Sequence, residues 1–200
     1  MQIAVFDRME ECSEAEVQRM LPLVSAQRRE QALRYKHTVG QFCCLKSWLR
    51  VKGLMDEGIS GLAGEWISGL AGEGISGLAD EWEYNEYGKP YIKGGLHFSI
   101  SHCKAGIAVA VDEQPIGIDI EAIRHAEDDL IERVMNEEER KQIHNDRAFT
   151  RLWTQKEAIV KAQGVGLQSF EQLQGIRIQD SGFRTESFES ENYIYSIAHK

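Results

Sequence analysis

Apolar and polar residues alternate with a period of two through Ile116-Gly117-Ile118-Asp119-Ile120-Glu121, which predicts a strand with one isoleucine face and one acidic face. Gln2 to Phe6 and Leu96 to Ser101 predict further strands, and the apolar run Gly106 to Asp112 predicts a buried one. Ser13, with Glu16 three positions later, is the cap of a short helix ending near Pro22. Ser25 opens a second helix in the same way, and Phe42, Leu45, Trp48 and Leu49 form a buried stripe on a third, from about Val39 to Met55. Asn136 caps another helix with Glu139 at its third position, and a long helix runs from about Asp146 to Gln163 and stops at Gly164. Three short strand patterns close the chain: Gly175–Gln179, Phe183–Phe188 and Tyr193–Ala198. Strands and helices thus occur twice, in roughly similar order.

The regular pattern is interrupted by a repeat of period eight: Ile59–Trp66, Ile67–Gly74 and Ile75–Trp82, with Val51–Gly58 as a degenerate fourth copy. Copies this short cannot stack as a solenoid, and the one to three glycines in each weaken any helix. The expectation is a mobile surface insertion; partner binding through its Ile, Leu and Trp side chains is the alternative.

Composition narrows the class. With 42% hydrophobic and 28% charged residues over 200 positions, the chain is expected to build a real core. No apolar run reaches membrane-spanning length, and Asp7, Arg8, Glu10 and Glu11 speak against a secretory leader. Cys12, Cys43, Cys44 and Cys103 form no C-x-x-C and read as reduced cytosolic thiols. The net charge is −9, yet residues 19–52 carry eight basic side chains against Glu30, a local +7 that leaves −16 elsewhere. A basic region in an acidic protein suggests a local anion site rather than nucleic-acid binding; a solvated basic helix face is the alternative.

Asp119 and Glu121 point the same way from the acidic strand, and neighbouring carboxylates repel unless a cation joins them. Mg²⁺ takes carboxylate oxygens and keeps positions for a phosphate-bearing substrate. Gly117, on the same face, is expected to leave room for a ligand at the backbone. On the long helix Trp153, Glu157 and Lys161 are four apart and share a face. Each feature alone is also read as ordinary surface chemistry: a solvated acidic edge, an i, i+4 ion pair. Together Asp119, Glu121 and Glu157 offer three oxygens to one Mg²⁺, with Lys161 and His102 as donors to phosphate.

The pairing of Ile116–Glu121 with Trp153-Thr154-Gln155-Lys156-Glu157-Ala158-Ile159-Val160-Lys161, at this spacing, resembles the two-part signature of the 4′-phosphopantetheinyl transferases. Tyr87-Gly88-Lys89-Pro90 and Phe98-Ser99-Ile100-Ser101-His102 resemble two further family motifs, and the length points to the larger, surfactin-synthetase-activating type. The resemblance covers the chain except the repeat. It implies Mg²⁺-dependent transfer of the phosphopantetheine arm of coenzyme A to a serine of an apo acyl- or peptidyl-carrier protein, releasing adenosine 3′,5′-bisphosphate. It implies that Asp119, Glu121 and Glu157 hold the metal, that Asp119, Glu157 and Lys161 are catalytic, and that Glu157 also serves as base for the carrier serine. Arg28, Lys89, Pro90, Ser101, His102, Lys156 and Lys161 match positions that hold coenzyme A. Two positions depart from the pattern: Gln31, where the family often has a second base, and Ser99, where it usually has Asn.

The fold so implied is α+β: two similar α/β subdomains, each a small antiparallel sheet with a long helix, related by a pseudo-twofold axis. Residues 1–113, carrying the repeat insertion at about 56–82, form one half and residues 114–200 the other, with coenzyme A between them. The enzyme is expected to be a cytoplasmic monomer with no nucleic-acid or membrane partner. A Mg²⁺-dependent phosphohydrolase using the same carboxylates, and an inactive coenzyme-A-binding module, are the competing readings.

Overall fold

Local capping chemistry sets most helix ends. The structure, a computed structural model, describes residues 1–60, 83–92, 96–167 and 169–200. After strand β1 (Gln2–Phe6), Ser13 Oγ accepts the Glu16 amide to open α1 (Glu14–Met20), and Ser25 Oγ accepts the Arg28 amide to open α2 (Ala26–Leu33). Helix α3 spans Thr38–Ser60 and is followed by a small hairpin, β2 (Glu83–Tyr84) and β3 (Pro90–Tyr91). Strands β4 (His97–Cys103), β5 (Gly106–Asp112) and β6 (Ile116–Ala122) come next, then α4 (Asp128–Val134) and α5 (Glu137–Arg140). The expected capping box of α5 is present in both directions between Asn136 and Glu139. Helix α6 (Asp146–Gln163) starts at the Asn145 cap and ends where Gly164 turns left-handed at φ 76°. Short α7 (Phe170–Gly175) precedes β7 (Arg184–Glu189) and β8 (Tyr193–His199).

Two segments differ from the sequence expectation. The segment 175–179 is not a strand: Gly175 ends α7 and Ile178–Asp180 forms a 3-10 turn, with Ile176 and Ile178 packed beneath α6. Its alternation is too short to impose strand pairing by itself, and its two isoleucines pack, partly buried, against the helix instead. The degenerate repeat copy beginning at Val51 is helical: α3 runs five residues beyond the expected end, and Val51, Leu54 and Met55 are core residues. The remainder of the repeat, residues 61–82, lies outside the described residues.

The protein is α+β, with two three-stranded antiparallel sheets ordered β1-β5-β4 and β6-β8-β7. Successive side chains of a strand face opposite ways, and β5 uses both faces. Ile107, Val109 and Val111 join Phe42, Leu45 and Trp48 of α3 in one core. Ala108 and Ala110 turn the other way, onto Ile116, Ile118 and Ile120 of β6 and Ile197 of β8. The opposite face of β6 and β8 carries α6 through Ala158, Ile159, Ala162 and Ala198. The outer side of α6 is covered in turn by Val134, Met135 and Leu173. Among the described residues, no helix is long and apolar enough to cross a membrane, and the four cysteines are free thiols.

Candidate active site

The acidic strand lies at the edge of its sheet and packs under α6, which buries Asp119 and half-buries Glu121. Asp119 is only 3% exposed. Its Oδ1 accepts from Ser101 Oγ at 2.8 Å and from Lys161 Nζ at 2.6 Å, while Oδ2 is buried with no partner. Burial, followed by the Asp119 charge, raises the pKa of Glu121. Burial pushes Glu157 up to about 7; Asp119 and Glu121 add to the rise, and Lys161 and Arg124 oppose it. Asp119, Glu121, Glu157 and Lys161 therefore share one electrostatic site, built by β6 and α6. His102 belongs to it too: partial desolvation and then the Lys161 charge hold it below the ordinary histidine value. Among the described residues, no three His, Cys, Asp or Glu side chains stand close enough to chelate an ion as they are.

A cavity of about 310 Å³ opens beside these groups, and Lys89, Pro90, Glu157 and Lys161 line it together with Phe98 and Val160. The β2–β3 hairpin forms its rim and clasps the end of α6. Asn85 Nδ2 donates to the Gly164 carbonyl at 2.7 Å, and Lys89 Nζ donates to the carbonyls of Lys161 at 2.5 Å and Ile116 at 3.2 Å. A cation at a helix C-terminus is favourable, so Lys89 here stabilises α6 while burial lowers its pKa to about 8.

Three expected site residues stand elsewhere or act otherwise. Lys156 is 0% exposed, on a different face of α6 from Glu157, and its ammonium meets Glu139 Oε2 at 2.5 Å and the carbonyls of Leu173 at 2.7 Å and Val134 at 3.0 Å. The structure thus does not bring Lys156 to the carboxylates; a 100° step per residue turns it inward towards α4, α5 and α7. Lys156→Met should cost about 3–5 kcal/mol, because Glu139 would stay buried without its counter-charge. Urea unfolding reads this directly, and a loss below about 1 kcal/mol would contradict the pairing. Arg28 is buried between α2 and α3, with its guanidinium 5.0 Å from the Trp48 ring and a hydrogen bond to Cys44 Sγ at 3.7 Å. It is not among the described residues lining the cavity. Ser101 donates to Asp119.

Gly117 also differs from expectation. What approaches its backbone is α6: a Cβ there would lie 1.9 Å from the Ala158 oxygen and 2.5 Å from the Ala162 nitrogen. Ser99, the position where Asn is usual, accepts the Ile118 amide at 3.0 Å and ties β4 to β6. Trp153, expected on the same helix face as Glu157, is a core residue beside Phe149 and Phe170. Arg124, which the sequence reading passed over, lies 4.6 Å from the Trp153 ring and lowers the pKa of both Glu121 and Glu157. Its only signal was its place three residues after Glu121.

Comparison with known proteins matches residues 115–198, from β6 to β8, to the model of the 4′-phosphopantetheinyl transferase superfamily. A Bacillus subtilis protein named 4′-phosphopantetheinyl transferase is 33% identical over 185 residues, covering 85% of this chain and 73% of that protein. The chain belongs to this family. The gsp transferase of Aneurinibacillus migulanus is 37% identical over 89 residues, 42% of this chain and 38% of its own length. AcpT of Salmonella typhi is 39% identical over 95 residues, 42% of this chain and half of its own. As a phosphopantetheinyl transferase the chain is an enzyme of the transferase class, and the family match spans the strand and helix that carry Asp119, Glu121, Glu157 and Lys161.

Proposed function

We propose that this enzyme is of the surfactin-synthetase-activating type. It moves the phosphopantetheine arm of coenzyme A onto a serine of an apo acyl- or peptidyl-carrier protein and releases adenosine 3′,5′-bisphosphate. The observation that carries the reading is the convergence of β6 and α6 carboxylates beside a cavity lined by two lysines. Mg²⁺ fits this donor set: the oxygens are hard ligands, Asp119 Oδ2 is buried with no partner, and Glu121 and Glu157 are both raised, first by burial and then by the Asp119 charge. Asp119, Glu121 and Glu157 would hold the ion, which when bound neutralises the charge of the coenzyme A diphosphate.

The protein's own groups do the rest. Glu157 is also the candidate base for the serine hydroxyl, directly or through water; in the metal-free protein burial, followed by the Asp119 charge, raises its pKa to about 7. Lys161 has three N–H donors, so it can keep Asp119 Oδ1 and still meet a phosphate oxygen. Lys89 and Pro90, which line the cavity, and His102 are our candidates for holding the nucleotide end. Phosphoryl transfer asks chiefly for positioning and charge neutralisation, and this site offers both. The two three-stranded sheets, one built before residue 113 and one after it, support two halves dividing near Glu113 and related by a pseudo-twofold axis. Each half also has one long helix, α3 or α6. We further read the enzyme as a cytoplasmic monomer without nucleic-acid or membrane partners.

The test against a phosphohydrolase is to follow adenosine 3′,5′-bisphosphate by chromatography with and without an apo carrier protein. Its release should require the carrier, cease in EDTA and return with excess Mg²⁺. Release without any carrier would favour hydrolysis and contradict the proposal.

A further inference from the structure

Ser99 and Ser101 alternate with Ile100 along β4, so both hydroxyls leave the same face of an edge strand. That face meets β6, the edge of the other sheet, where Ser99 binds the Ile118 amide and Ser101 binds Asp119. Ser101 is 8% exposed. On Asp119 the two oxygens differ sharply: Oδ1 holds two donors, Ser101 Oγ and Lys161 Nζ, and Oδ2 holds none. An unpaired buried carboxylate oxygen is costly, and two donors on its twin decide which oxygen bears that cost.

The geometry points to Ser101 as a positioning residue: with Lys161 it saturates Asp119 Oδ1 and leaves Oδ2 as the one oxygen Asp119 gives to a cation. This rests on the proposed Mg²⁺-dependent transfer. It departs from the family resemblance, which assigns Ser101 to coenzyme A. A serine hydroxyl has a single proton. Spent on Asp119, that proton cannot also be donated to a phosphate oxygen, which is itself an acceptor. Ser101 therefore serves the metal end of the site and not the coenzyme.

The test separates the two ends of the site. Melting temperature is followed across a Mg²⁺ titration with coenzyme A present, for wild type, Ser101→Ala, Ser101→Cys and Ser101→Thr. Coenzyme A affinity is measured by calorimetry in EDTA. The Mg²⁺ needed for half of the stabilising shift should rise about tenfold in the Ala and Cys variants and return to within about threefold in Thr, as expected when the partner of a metal ligand is removed and restored. The Kd for coenzyme A in EDTA should stay within about twofold of wild type, because no donor to the coenzyme has been lost. Weaker coenzyme A binding in EDTA with an unchanged Mg²⁺ requirement would assign Ser101 to the coenzyme and overturn the inference. Unchanged values for both, or no Mg²⁺ effect on wild type, would overturn it too. The Cys variant keeps the side-chain size if Ala perturbs the buried strand. No arm uses a carrier protein, so an absence of transfer to any carrier would remove the functional reading without deciding this comparison.

Discussion

Glu157→Ala is expected to lower kcat/KM for carrier modification by at least about a thousandfold, roughly 4 kcal/mol of transition-state stabilisation. The side chain combines a metal-ligand position with the candidate base, and its surroundings show what it is for. In the metal-free protein its ionised form is disfavoured by burial and by the Asp119 charge. A group kept only for stability would not be held in that condition. Glu157→Gln should therefore lose activity as the Ala variant does, while melting in EDTA at the same temperature as wild type or slightly above it. Thermal melts with and without Mg²⁺ check the pair of effects. Loss of activity together with a lower melting temperature in EDTA would mean that Glu157 supports the fold, and the assignment would fail.

Gly117→Ala should be the most damaging single methyl addition in the chain's second half. The new Cβ would meet the Ala158 oxygen at 1.9 Å, the Ala162 nitrogen at 2.5 Å and the Ala158 carbonyl carbon at 3.0 Å, all backbone atoms of α6. Backbone cannot rotate away as a side chain can, so the helix must lift from the sheet, at a cost of about 3 kcal/mol or more. The same lift separates Glu157 and Lys161 on α6 from Asp119 and Glu121 on β6. A misplacement of about 1 Å is worth about a hundredfold in rate. Protein that still folds should thus also be a poor enzyme. Gly175→Ala, where a Cβ meets nothing within 4 Å, is the control and should leave both properties unchanged. Urea midpoints and initial rates for the two variants decide the matter, and equal behaviour would contradict close packing of α6 on β6.

What could be read from the sequence follows the range of the forces involved. Helix α6 is legible at both ends because Asn145, Asp146 and Gly164 act within a turn of themselves. Strand β6 is legible because a period of two is a local property. The contents of the acidic face are legible as well, but not their surroundings. Gly117 needs the distant helix to explain it, and the alternation that reads as one solvated face covers a strand buried on both sides. Lys156 stands one position before Glu157, yet Glu139, Val134 and Leu173 claim it, partners that only the tertiary fold supplies. Segment 175–179 alternates like a strand, but its alternating Ile176 and Ile178 pack below α6, a partner far away in sequence. Short α4 and α7 carry too few turns for an apolar stripe to stand out.

The most direct measurement is the intact mass of an apo acyl-carrier protein, with a peptidyl-carrier domain alongside, after incubation with the enzyme, coenzyme A and Mg²⁺. The account predicts a gain of one phosphopantetheine arm on at least one carrier, absent in EDTA and absent with Glu157→Ala. A gain of the same size with Glu157→Ala, or none on any carrier from wild-type enzyme that binds coenzyme A, would contradict it.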